Sequence, residues 1–193
     1  MKNTENTSSV VEPTLRMHPK KFALWLFLVS VIMIFASMTS AYIVRMSEGN
    51  WLYFELPTMF YYSTCIVILS SVAMHWAYVA AKKDNFFHIK GGLIATAVLG
   101  ITFLYLQIKG WEQMVAMSVY LVGNPSGSFV YVITGLHGLH IVSAIIVVLF
   151  TLVSAFRMKI HAKNMLQISM CATYWHFLGI LWIYLFVFML IYR

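Results

Sequence analysis

The sequence predicts an all-α integral membrane protein, a bundle of five transmembrane helices with the N-terminus cytoplasmic and the C-terminus periplasmic. Three observations predict it. The 193 residues are 61% apolar and only 10% charged, whereas a soluble domain carries roughly a quarter charged residues. Five apolar runs are each long enough to cross a hydrocarbon core, which needs about 20 residues at a rise of about 1.5 Å each. The Lys and Arg residues between the runs fall into two unequal groups, the asymmetry that sets membrane orientation.

Residues 1–21, MKNTENTSSVVEPTLRMHPKK, are polar, carry Pro13 and Pro19 and have no helical period. They read as a disordered cytoplasmic tail ahead of a single membrane domain, residues 22–193. The tail is not a signal peptide, because the apolar run behind it is too long for one and leads into further spans. The five spans are expected at 22–44, 57–81, 87–108, 128–156 and 166–192. The third is the weakest, with Gly91, Gly92 and Gly100 inside it, and a re-entrant hairpin is its alternative. The connection after it, KGWEQMVAMSVYLVGNPSG, has too few apolar residues for a sixth span, and a short helix lying in the outer interface fits it better.

Orientation follows from the connections. Lys2, Arg16, Lys20 and Lys21 lie in the tail, Lys82, Lys83 and Lys90 around the second connection, and Arg157, Lys159 and Lys163 in the fourth. The opposite side holds only Arg45, Lys109 and Arg193. The net charge of +7 is thus a matter of topology, and nucleic acid is not a partner. Six Trp and eleven Tyr suit the headgroup region, where one end of a side chain is apolar and the other wet. Cys65 and Cys171 cannot form a CxxC site and read as buried, inert thiols.

All six acidic residues, Glu5, Glu12, Glu48, Glu55, Asp84 and Glu112, lie in the tail, in connections or at span ends. A proton pump or ion-coupled transporter normally keeps an acid at mid-depth, and this chain has none there. The ionisable groups left inside are histidines: His75, His137, His140 and His176. Histidines on facing helices could ligate haem. Counted along the spans, however, His140 lies roughly 18 Å from the outer end of its span, His176 roughly 15 Å from the inner end of its own, and His75 nearer the inside. That offset of about one to two turns argues for structural imidazoles, with metal ligation as the alternative. His137 and His140 share a helix face, and Gly135 and Gly138 beside them would let another backbone approach. Ser30, Ser37, Ser70, Ser71, Thr134 and Thr173 are candidate hydrogen-bond partners across helices.

Two stretches, GSFVYVITGLHGLHIV (127–142) and YWHFLGILWIYLF (174–186), resemble the paired signatures of subunit III of the haem-copper terminal oxidases. Weaker matches follow the family order: LWLFLVSVIMIFAS (24–37), Leu56 and Pro57, HWA (75–77) and LGITFLYLQ (99–107). The resemblance runs from about residue 22 to the C-terminus and fits the short five-helix bacterial form. It implies a multi-pass protein of the bacterial cytoplasmic (inner) membrane, non-catalytic itself, that stabilises subunit I, contacts subunit II and holds phospholipid. Haem and copper would sit in the partner subunits, with none on this chain, and a respiratory supercomplex is among the candidate assemblies.

By this resemblance His137, His140, Gly135, Gly138, Tyr174, Trp175, His176 and Trp182 are packing or lipid-contact residues, with no catalytic, cofactor or metal role. The sequence departs from the family at three acidic positions, now Val31, Gly110 and Gly179, so the proton-handling roles proposed for those carboxylates do not carry over. The leading expectation is a cytochrome c oxidase subunit III. The alternatives are a quinol oxidase subunit III, an accessory protein of nitric oxide reductase, and a small membrane cytochrome b.

Overall fold

The computed structural model describes residues 18–158 and 165–192. Five helices, α1 (Pro19–Ser47), α2 (Thr58–Lys82), α3 (Phe86–Ala116), α4 (Pro125–Phe156) and α5 (Leu166–Ile191), account for nearly all of them. Each is long and apolar enough to cross a membrane. Residues 1–17, which make up most of the expected tail, lie outside the described residues, as do Lys159, Lys163 and Arg193.

Local chemistry sets the helix ends. Proline opens α1 and α4, where its missing N–H costs nothing. Asn85 and Asn124 cap α3 and α4, accepting from the backbone N–H of His88 at 3.4 Å and of Ser126 at 3.0 Å. Asn124 also accepts from the Leu52 N–H at 3.3 Å and donates to the Asn50 carbonyl at 3.1 Å, so it ties the first connection to the third.

All helix ends but one fall within three residues of the expected spans, and two of the differences bear on the fold. The tail was expected to reach residue 21, but α1 begins at Pro19, because His18 accepts from the Lys20 N–H and starts the helix there. The third span was expected to stop at 108 and give way to an interfacial helix. Instead α3 runs on unbroken to Ala116. The reason is packing: Gly110 lies under the Phe60 ring of α2, the Trp111 indole reaches Thr134 of α4, and Met114 is fully buried. Helix breaking falls instead on Ser118, at φ 61°.

Successive helices alternate in direction, and α2, α3, α4 and α5 close into a ring in which each touches the next and α5 returns to α2. α1 lies outside this ring, against α4 and α5, and does not touch α2. α5 is therefore the hub: 56% of its most apolar window is buried inside the protein, against 22% for α1. One end of the bundle carries Lys20, Lys21, Lys82, Lys83, Lys90 and Arg157. At the other, Arg45 and Lys109 are paired with Glu48 at 3.1 Å and Glu112 at 2.7 Å.

Candidate functional site

The polar groups inside the bundle come together as a set of interhelical fasteners built on indole rings. Trp175 of α5 donates its N–H to Ser70 Oγ of α2 at 3.1 Å, and Trp182, two turns further along α5, donates to Thr64 Oγ1 of α2 at 3.0 Å. Trp111 of α3 donates to Thr134 Oγ1 of α4 at 3.0 Å. Each accepting hydroxyl also donates to a carbonyl of its own helix: Ser70 to Val67, Thr64 to Phe60 and Thr134 to Val130. Both partners are thereby satisfied in a region without water, where an unpaired donor would be costly.

Two further pairs extend the set. Gln107 of α3 donates from Nε2 to Ser63 of α2 at 2.9 Å, both side chains being buried. The Tyr174 and Ser143 hydroxyls meet at 2.7 Å between α5 and α4. Of the serines and threonines expected to bridge helices, Ser70 and Thr134 do so. Ser30, Ser37 and Thr173 bond carbonyls of their own helices. Thr64, Ser63 and Ser143 were not anticipated; the signal they carried was a hydroxyl on the buried side of a span.

The histidines divide into two pairs. His137 is completely buried, yet neither ring nitrogen has a hydrogen-bond partner. Aromatic rings hold it instead: Phe35 and Phe103 meet it edge-on, with centroids at 6.2 and 5.9 Å, and Trp182 packs at 5.1 Å. His140 bonds Leu136 O of its own helix at 2.8 Å and packs against Phe27 and Phe35 of α1. Both face protein as expected, but neither is seen to fasten helices through its nitrogens.

The ring centroids of His75 and His176 lie 6.2 Å apart across the α2·α5 contact, so the stagger of these two helices brings the two imidazoles together. Among the described residues, no three His, Cys, Asp or Glu side chains converge on a point where an ion could be held.

The glycines that matter are also different ones. A Cβ on Gly135 or Gly138 would make only ordinary contact with side chains, Trp111 at 3.7 Å and Leu104 at 3.9 Å. The close backbone approach is at Gly92, where a Cβ would lie 2.8 Å from Ala77 Cβ and 3.1 Å from the Ala73 carbonyl oxygen. Gly100 makes room for the Trp175 indole, which a Cβ there would meet at 2.6 Å. Of the thiols, Cys171 is buried as expected while Cys65 is exposed.

The sequence profile described as cytochrome c oxidase subunit III matches residues 5–193. The chain is 28% identical over 184 residues to cytochrome bo(3) ubiquinol oxidase subunit 3 of Buchnera aphidicola, covering 93% of this chain and 96% of that one. It is 30% identical over 179 residues to cytochrome c oxidase subunit 3 of Thermostichus vulcanus, covering 88% and 86%. With the probable cytochrome c oxidase subunit 3 of Mycobacterium tuberculosis it shares 27% over 170 residues, 83% and 81% of the two chains.

Proposed function

The chain belongs to the cytochrome c oxidase subunit III family, and from that premise we propose that it is the non-catalytic subunit III of a bacterial cytochrome c oxidase. It stabilises the haem- and copper-bearing subunit I, stands in one assembly with subunit II, and holds phospholipid on its apolar flanks. The observation that carries this reading is that interior indoles and Gln107 are engaged with hydroxyls of neighbouring helices. Trp175, Trp182 and Trp111 are each bonded to a hydroxyl of a neighbouring helix, and Gln107 to Ser63, an arrangement suited to holding a scaffold and not to turning over a substrate. The cations gathered at one end of the bundle, against ion-paired cations at the other, support an N-terminus inside and a C-terminus outside the bacterial cytoplasmic membrane.

Deletion of the subunit from the intact oxidase is the experiment. Activity per haem, followed over many turnovers, is expected to begin near the level of the complete enzyme and to decay sooner. An unchanged working life would refute the stabilising role.

A quinol oxidase subunit III is the second reading, favoured by the Buchnera relative, which is named as a ubiquinol oxidase subunit and whose match covers 93% of this chain. Turnover of the purified complex with reduced cytochrome c, against turnover with a quinol, separates the two.

A further inference from the structure

The aromatic cluster at the Arg45 end of the bundle encloses two polar atoms that the protein itself does not satisfy. Tyr42 of α1 meets Trp51, Phe129 and Phe188 edge-on, with ring centroids 4.7, 5.7 and 5.2 Å away. It thus gathers the first connection, α4 and α5 around one end of α1. Within this cluster the Trp51 indole N–H and the Ser126 hydroxyl are both buried, and neither has a hydrogen-bond partner in the protein. Ser126 is only 1% exposed. Buried polar groups nearly always find a partner, because an unmet one keeps the full cost of its desolvation.

The two orphans are neighbours. The backbone N–H groups of Leu52 and Ser126 donate to the same oxygen, Asn124 Oδ1, at 3.3 and 3.0 Å, which holds Trp51 beside the first turn of α4. Both orphans flank Tyr42, whose ring faces the Trp51 indole and whose hydroxyl stands beside Ser126. That hydroxyl donates to the Tyr192 carbonyl at 3.0 Å and keeps lone pairs with which to accept. An indole can only donate, and a serine hydroxyl has a proton to place as well. Two donors and one acceptor around one point match a water molecule, which buried in a protein makes about three hydrogen bonds.

We propose that Trp51 Nε1, Ser126 Oγ and Tyr42 Oη bind one internal water molecule, and that this water latches the first connection and the adjoining end of α1 onto α4. It accepts from the indole N–H and from the serine O–H, and it donates to the tyrosine oxygen. The inference goes beyond the oxidase reading and stands without it. An ion fits worse. An anion would lie among rings without a countercharge, since Arg45, one turn along α1, is already paired with Glu48. A cation would face an indole N–H that can only donate. His137 is the contrast: its nitrogens are ringed by Phe35, Phe103 and Trp182 well inside α4, whereas Trp51 belongs to a connection at the end of the bundle, where water is at hand.

The first test is a structure of the chain in its native complex at a resolution that shows ordered water. A peak at about 2.7 to 3.2 Å from both Trp51 Nε1 and Ser126 Oγ is expected. An empty map at that point, or an indole bonded directly to protein, overturns the site. The latch is read from cleavage of the first connection by a glutamyl endopeptidase at Glu48 and Glu55, which are both exposed. Trp51→Phe and Ser126→Ala should each speed cleavage about fivefold, as the loss of about one hydrogen bond predicts. Combined, they should do no more than either alone, because one water serves both. Independent effects, multiplying to about 25-fold, or single variants cleaved at the parent's rate, would overturn the latch. Should a variant fail to accumulate, the density in the parent still decides the site.

Discussion

The Trp175 indole N–H meets the Ser70 hydroxyl at 3.1 Å, and the far edge of the same indole lies over Gly100. One side chain of α5 thus joins α2 by a hydrogen bond and α3 by shape. Ser70→Ala strands the indole donor in a dry interior and should cost about 1 to 2 kcal/mol. Adding Trp175→Phe should show a coupling of about 1 kcal/mol in a double-mutant cycle measured by reversible unfolding in detergent.

Gly92 and Gly91 are neighbours in sequence with opposite surroundings. A Cβ at Gly92 collides with Ala77 and the Ala73 carbonyl, while one at Gly91 meets nothing within 4 Å. Gly92→Ala should therefore destabilise by about 1 to 3 kcal/mol, because α2 and α3 must separate. Gly91→Ala should be neutral or stabilising by up to about 1 kcal/mol. Thermal unfolding of the two variants side by side checks this.

His137 has two buried nitrogens without partners and three aromatic neighbours. Removing unsatisfied polar atoms while keeping a ring should help or do nothing, so His137→Phe is expected to unfold within about 1 kcal/mol of the parent or above it. His137→Asp, which buries a group that rings cannot satisfy, should abolish accumulation of the protein in membranes.

Val31 is buried on α1 one turn from Phe27 and one turn from Phe35, both of whose rings touch His140. A glutamate placed there would arrive beside that imidazole. Val31→Glu should be tolerated with His140 present and fail with His140→Leu, since an isolated acid inside the bundle has no partner. Expression level and melting temperature of the single and double variants report the outcome.

Much of this architecture was legible in the sequence because hydrocarbon thickness fixes the length of a span. The end of α3 was not legible. Lys109 and Glu112 mark a polar boundary in the sequence, and only the burial of Met114 and the bond from Trp111 to Thr134 show that the helix continues past it. The glycine contacts depended on the relative rotation of α2 and α3, which no single span encodes; Gly92 and Gly135 look alike until the opposing helix is in place. His75 and His176 needed the stagger of α2 against α5. Tyr174, Trp175 and Trp182, by contrast, were marked by their motif and do join helices.

The position of α1 outside the ring has a bearing on biosynthesis. The ribosome delivers this segment to the bilayer before the other four helices, yet the surfaces that hold it, around Phe129, His137 and His140 of α4 and Tyr174, Tyr184 and Phe188 of α5, are the last of them to be translated. Newly inserted, it must wait in lipid as a lone rod while more than a hundred residues follow, and its capture closes the maturation of the bundle.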